Sequence, residues 1–445
     1  MIPKRKVRVA TAAVVFATLL GGAGAIPLVQ AADPSSVPGE AVSPAVALSG
    51  TIRVQEWGAG GEAMWVALKE AFEARYPGVT VQLEQVPYPN YNEKVGSYVA
   101  LGDGPDVFVM ENGGAINTFK GSLTPLNDLA GDVLGGLTSP EMACEAYDCS
   151  NTVWGLPISL QAHPIFYNKQ VLTDAGLDPE APPTTIRELD DACAKIKALG
   201  KDCFAMGGKG FGAAVLWLAL SLYTATTDEL YAVGTGATPM NGPAIGSAST
   251  IFAWMIERGW FPDDAVSLTL SPDAQGMFEK GDAAFLVGFL GDDLTWFTFD
   301  KTMGPENYGV MQYPKLESGT IPGVEPGENS GKLDVVAANS LVIPKWTKNP
   351  DAALAFIRWA TSPEAAALMA PFGVYPASKD FDTTAIDSAG FQDMVEIAKS
   401  NAPDIYWLMS LRAQTELLPQ LELLLLGETT PAAMNDALEL ANKDR

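Results

Sequence analysis

The sequence predicts an α/β fold, and three observations carry that prediction. Strand and helix periods alternate from residue 51. TIRVQEW at 51–57 is followed by Trp65, Leu68 and Phe72 at helical spacing, and then by Val79, Val81 and Leu83 alternating with polar residues. That succession is a βαβ unit. Next, VFVM at 107–110 is an unbroken apolar run of strand length, the pattern of a parallel strand covered on both faces. Finally, WGLPISLQAHPIFYNKQVL at 154–172 separates one α/β-patterned segment from another. It reads as the crossing between two lobes and the floor of whatever they enclose.

At 445 residues and 47% hydrophobic content, the chain can bury a large core and is long for one domain. Residues 1–31 carry a basic start (Lys4, Arg5, Lys6, Arg8), an uncharged apolar run, and Val29-Gln30-Ala31 before Ala32. This is a secretory signal pattern with cleavage expected after Ala31 and a second candidate after Ala25; a retained segment would hold the protein at the membrane. No cysteine near the cleavage region offers a lipid acceptor. Cleavage removes four positive charges and no acid, taking the formal net charge from -25 to -29. Such acidity argues against nucleic acid or anionic lipid as a partner. Cys144 and Cys149, then Cys193 and Cys203, are local pairs in an exported chain and read as two short-loop disulfides. A zinc site is the sharper alternative, disfavoured by a single histidine in the whole sequence.

Residues 32–49, rich in Pro, Ser, Ala and Val, read as a flexible tether. After the first strand, Gly58 to Gly61 make a turn into a helix from Glu62, ended by Pro77-Gly78. A second helix fits residues 91–101. The strand at 106–110 then ends in Glu111-Asn112-Gly113-Gly114, where an open α/β sheet places its ligand. Thr185 and Glu188 form a capping-box pattern ahead of a helix that ends at Gly200, and Cys193 would staple it to the Cys203 segment. The pattern is helical over 228–259, strand-like at 281–287 and again at 340–344. Asn349-Pro350, Ser362-Pro363 and Thr430-Pro431 each place a capping residue before proline at a helix start.

Catalytic patterns are thin. Gly58-Ala-Gly-Gly-Glu-Ala63 satisfies the formal terms of a dinucleotide fingerprint, with Glu84 near the end of the next strand. Export without a twin-arginine signal argues against a cofactor there, and no cofactor is expected. The single histidine, His163, rules out a two-histidine metal site, and no metal is expected. Acids are abundant, so a glycosidase pair stays open on composition. Among the 10 Trp, 12 Tyr and 18 Phe, those beside Gly, Pro or polar residues (Trp57, Tyr88, Tyr91, Trp217, Trp296, Tyr375) are candidates for stacking on a sugar ring.

Several segments, in this order, resemble the extracellular solute-binding proteins of sugar-transporting ABC importers (family 1, the group that includes maltose-binding protein). They are residues 52–57 with the following helix, LGDGPDV at 101–107, WGLP at 154–157 and FYNK at 166–169 with Leu172. GDAAF at 281–285, residues 339–345 leading into NPDAALAFI at 349–357, and FGVYP at 372–376 complete the set. The likeness spans residues 51–442. Two positions depart: Pro164 stands where a small residue is usual, and Gly288-Phe-Leu-Gly291 lies where many relatives carry a stacking Trp.

The resemblance implies a two-lobed periplasmic-binding-protein fold (type II) with the ligand cleft between lobes joined by hinge strands. The expected bounds are 50–158 plus 335–372 for lobe 1 and 159–334 plus 373–445 for lobe 2. It implies a non-enzymatic monomer, periplasmic or extracellular, that captures a carbohydrate and closes to present it to the permease subunits of an ABC transporter. Trp57, Glu111, Asn112 and Asn339 are expected to hold the ligand from lobe 1. Gln161, Trp217, Asp292, Tyr375 and Arg412 are expected to hold it from lobe 2, while His163 is read as a wall or hinge residue. The alternatives are a secreted carbohydrate-active or nucleotide-dependent enzyme, and a binding protein for a non-sugar solute.

Overall fold

The first βαβ unit forms as its pattern dictates. In a computed structural model, which describes residues 48–58, 61–87, 90–289 and 296–443, β1 (Gly50–Glu56) and β2 (Val79–Gln85) pair in parallel. The helix Gly61–Arg75 between them buries Met64, Trp65, Leu68 and Phe72. Phe72 then meets Phe356 and Trp359 at ring distances of 5.1 and 5.5 Å, which fixes the later helix Pro350–Ala360 to the same face. The signal segment and nearly all of the tether lie outside the described residues. Among the described residues, no helix is long and apolar enough to cross a membrane.

β3 (Val107–Glu111) is buried at all five positions and runs parallel to β1, as expected of its apolar run. Its other neighbour is β9 (Leu333–Val342), which is antiparallel to it and to β4 (Gly155–Ala162). β9 starts well before the strand expected at 340–344. Asp334, Asn339 and Ser340 interrupt its apolar character, and these polar residues hide the strand in the sequence. With β10 (Tyr375–Pro376) at the edge, the first sheet has the order β10-β4-β9-β3-β1-β2, and β11 (Asn401–Ala402) pairs with the start of β9.

A second sheet has the order β6-β7-β5-β8, from β6 (Asp202–Phe204), β7 (Ala283–Val287), β5 (Ile165–Asn168) and β8 (Tyr308–Met311). β5 and β8 have four residues each, too few for a period to show, and neither was anticipated as a strand. The 228–259 region is two helices, Thr227–Thr235 and Pro243–Glu257. Gly236 at φ +79° ends the first, and Pro243 opens the second.

The capping box at Thr185 and Glu188 is present in both directions, and Ser362 caps its helix through the Ala365 N–H. Asn349 occupies a cap position without capping; its side chain donates to the Thr51 carbonyl at 2.7 Å and ties a late helix to the first strand. Both disulfides, Cys144–Cys149 and Cys193–Cys203, are formed.

Candidate functional site

The carboxyl ends of β1 and β3 meet a bulge in β4. Pro157 pairs with Ser340 and Ser159 with Asn339, so Ile158 is an extra residue with no partner across the ladder. Bulges of this kind re-aim side chains and are common beside binding sites. Here the result is one row across three strands: Glu111 on β3, Asn339 on β9 and Ser159 on β4. A narrow recess with about 20 Å³ of free volume, room for about one water molecule, opens beside this row. Trp57, Met64, Trp65, Ile158, Ser159 and Asn339 contribute to its walls.

The polar chemistry at these strand ends is unusual. Buried polar groups normally find partners, yet Asn339 Oδ1, Asn112 Oδ1, Ser340 Oγ and both amide atoms of Gln55 have none. Asn112 spends its amide nitrogen on the Ala337 carbonyl at 2.7 Å, which pins the end of β3 to β9 and leaves only its oxygen orphaned. Glu111 is buried and accepts from Asn92 Nδ2 at 2.9 Å. Glu56, at the end of β1, is 2% exposed and accepts from the Gly58 N–H. Burial pushes its carboxyl up to about 7, against the opposing Gly58 bond and with help from Glu62.

Gly113, at φ +62°, makes the sharp turn after β3. An added Cβ would stand 1.7 Å from the Trp407 carbonyl oxygen, so only glycine allows the segment Ile405–Leu408 to close against this strand end.

The expected contact residues fall into separate groups. Trp57 and Asn339 line the recess, and Glu111 and Asn112 stand at its strand ends. Gln161 and Tyr375, expected from the second lobe, lie on β4 and β10 of the first sheet. Tyr375 is part-buried and edge-on to Phe391. Arg412 is exposed in the first turn of the helix Leu411–Leu425.

Trp217 does not reach the cleft. It is 0% exposed, in a helix (Gly212–Leu220) buried at every position, and its indole N–H donates to Ser249 Oγ at 2.9 Å. Two other stacking candidates are also core residues. The Tyr91 hydroxyl donates to the Val109 carbonyl while its ring meets Trp57 edge-on at 4.9 Å, and Trp296 packs on Phe391 at 5.1 Å. Asp292 and Tyr88 lie outside the described residues.

Of the fingerprint-like turn, Ala59 and Gly60 are outside the described residues, and Glu84 accepts from the Tyr98 hydroxyl at 3.0 Å. Of the departing positions, the Pro164 carbonyl accepts from the Gly288 N–H at 3.1 Å and Phe289 stands edge-on to His163 at 5.0 Å. Sequence reasoning missed Glu56, Ser159 and the second role of Trp65, which it read only as core. A strand-end acid beside Trp57 was a usable signal for Glu56, whereas a bulge leaves no signature in a single sequence.

Among the described residues, His163, Asp334 and Asp404 are the group of metal-type side chains that come together, with donor atoms within 4.8 Å of one another. The imidazole Nδ1 is hydrogen-bonded directly to Asp334 Oδ2, and the His163 N–H donates to Asp334 Oδ1 at 3.1 Å.

The family model for bacterial extracellular solute-binding proteins matches residues 57–367. A putative binding protein of Brucella abortus (strain 2308) is 26% identical over 314 residues, 68% of this chain and 69% of that one. An uncharacterized ABC transporter extracellular-binding protein of Pyrococcus horikoshii is 25% identical over 337 residues, 73% of this chain and 70% of its own. The sn-glycerol-3-phosphate-binding periplasmic protein of Escherichia coli (strain K12) is 39% identical over 70 residues, 16% of this chain and 15% of its own. Among solved structures, a chitin oligosaccharide binding protein superposes with a TM-score of 0.75 at 20% identity, covering 89% of this chain and 98% of its own. A maltose-bound protein of T. maritima does so with a TM-score of 0.68 at 18% identity, covering 88% and 99%. At these identities the superpositions establish the shared two-lobed fold.

Proposed function

The chain belongs to the bacterial extracellular solute-binding proteins, and from that premise we propose that it captures a carbohydrate between its two sheets and closes to present it to an ABC permease. The family consists of solute-binding components of importers, binding proteins and not enzymes, that work outside the cytoplasm. The observation that carries the carbohydrate reading is the recess at the β4 bulge. There the part-exposed indole of Trp57 stands beside the unpartnered Asn339 oxygen, with the buried Trp65 behind it. An aromatic platform with a few fixed polar groups is what a sugar ring requires. The structural neighbours include proteins described as binding chitin oligosaccharide and maltose, which supports the same class.

We assign Trp57, Glu111, Asn112 and Asn339 to the solute from one side, with Gln161 and Tyr375 at the same sheet. Arg412 and Asp292 are the contacts proposed from across the cleft. The proposed lobes are residues 50–158 plus 335–372 and residues 159–334 plus 373–445. Two parts of the second range move to the first lobe, residues 159–162 of β4 and Tyr375–Pro376 of β10, because both pair into the first sheet. A solute drives closure only by binding the closed form better, through contacts from both sides at once.

Titration of the secreted protein with chitin oligosaccharides, maltose and galactose, read by tryptophan fluorescence, tests the proposal. A saturable change with one class supports it, and silence across the panel refutes it. The segment shared with the glycerol-phosphate-binding protein favours a second reading, a phosphorylated polyol, and glycerol-3-phosphate in the same titration separates the two.

A further inference from the structure

We propose that His163, Asp334 and Asp404 form a proton-sensitive latch where the chain crosses between the sheets, so that acidification seals the crossing and alkaline conditions loosen it. The inference rests on the closure reading above and adds a control on it.

The latch is assembled by strand register. His163 follows the last residue of β4, and the pairing of Ala162 with Val335 sets it abreast of Asp334 on β9. β11 pairs its Asn401 and Ala402 with Leu333 and Asp334, which brings Asp404, two residues on, to the same point. Three segments that leave the first sheet therefore each contribute one group. Exposure is 1% for His163, 0% for Asp334 and 1% for Asp404. The imidazole Nδ1 is hydrogen-bonded to Asp334 Oδ2 and lies 3.6 Å from Asp404 Oδ2, while Asp404 Oδ1 accepts from the Tyr406 N–H at 2.8 Å.

The second sheet closes over the cluster with apolar groups. Phe289, beyond β7, is edge-on to the imidazole at 5.0 Å and stacks on Phe211 at 5.9 Å, and Phe211 meets Tyr406 at 5.1 Å. From the segment after β8 comes Tyr313, buried and with no hydrogen-bond partner for its hydroxyl. Burial first, then Asp334, Tyr223 and Asp404, push its ionisation far up, so it stays neutral.

Two carboxylates and one imidazole share a fully buried site. Two carboxyl groups face one imidazole, so they cannot both carry a charge with a cationic partner, and low-dielectric surroundings penalise the charge left over. Burial accordingly pushes the Asp404 carboxyl up to about 7, with His163 pulling it down and Asp334 pushing it up. In a loosened, hydrated crossing the carboxyl returns toward its ordinary value near 3.8. The sealed form therefore holds an extra proton between about pH 4 and about pH 7, and that proton favours it as pH falls. For one such group, sealing is favoured about tenfold more at pH 6 than at pH 8.

Hydrogen exchange on the full secreted chain, with no solute added, measures this directly. Peptides carrying the His163 and Gly288 amides, whose acceptors are Asp334 Oδ1 and the Pro164 carbonyl, should show about tenfold higher protection at pH 6 than at pH 8 after correction for intrinsic rates. A peptide from β3 should not change. Asp404→Asn should abolish the difference. Because the chain has one histidine, its imidazole ¹⁵N resonances report the cluster without ambiguity and should move over the same interval. Flat protection in the wild type, or an Asp404→Asn variant that keeps the pH dependence, overturns the proposal. So does an imidazole that responds to one equivalent of Zn²⁺, which would make the cluster a metal site. If Asp404→Asn does not fold, the wild-type exchange and imidazole profiles decide by themselves. A flat profile in a protein that still binds sugar sinks the latch alone, and absence of sugar binding leaves the exchange test standing.

Discussion

Replacing Glu56 by glutamine should stabilise the protein at pH 8 and leave it unchanged near pH 4. Glu56 is buried at the end of β1, and burial holds its carboxyl at about 7 instead of 4.5. In the unfolded chain the group returns to its ordinary range. Between about pH 4.5 and 7 the folded state binds a proton that the unfolded state lacks, so stability is greatest below 4.5 and declines as pH rises to 7. The full shift corresponds to ~3 kcal/mol at 1.36 kcal/mol per unit. The effective dielectric even of a buried site is well above that of dry protein, which lowers the working figure to ~1–2 kcal/mol. Glutamine keeps an acceptor for the Gly58 N–H and removes the charge. For a chain of this length the gain corresponds to ~1–2 °C in Tm. Calorimetry of wild type and variant at pH 4.5 and 8 resolves it. An equal Tm difference at both pH values, or a wild type more stable at pH 8 than at 4.5 relative to the variant, refutes the reasoning.

Three further outcomes are expected. Trp217→Ala should cost ~3–5 kcal/mol by opening a cavity beside Ser249, seen as a lower Tm, while the surviving folded protein keeps its solute affinity. Asn339→Ala should weaken binding of the recognised sugar about tenfold in the fluorescence titration, the worth of one buried hydrogen bond. Its effect on Tm should be small, because the lost oxygen has no protein partner. Replacing Cys193 and Cys203 together by alanine should lower stability by ~2–3 kcal/mol, the chain-entropy value for a loop of this length, with the melting temperature as the readout.

The parts of the fold legible in the sequence were those where period and composition agree. β1, the helix Gly61–Arg75 and β2 were readable because Trp65, Leu68, Phe72 and the alternating valines point one way each. β9 was half-hidden because Asp334, Asn339 and Ser340, which serve the recess and the crossing, break its apolar run. β5 and β8 fell below the length at which a strand announces itself. Trp217 was misjudged because its glycine-rich approach at 207–212 looks like a loop lining a cleft, whereas the helix it opens is buried on all sides. The strand-end residues Trp57, Glu111 and Asn112 were accessible to reasoning because open α/β sheets expose their carboxyl ends. The row joining Glu111, Asn339 and Ser159 depends on a bulge, and the cluster around His163 depends on register between segments far apart in the chain. Neither is encoded locally.

The position of β9 also dictates how this protein must be made. It inserts between β3 and β4, yet it is synthesised after every strand of the second sheet. Until residues 333–342 arrive, β3 and β4 each present a bare apolar edge, the kind that aggregates when left open. The first sheet therefore cannot reach its final form ahead of residues 333–342, and such non-local pairing is intrinsically slow. In a chain threaded through a membrane, such an order delays completion of the first sheet until its last-made central strand has also crossed.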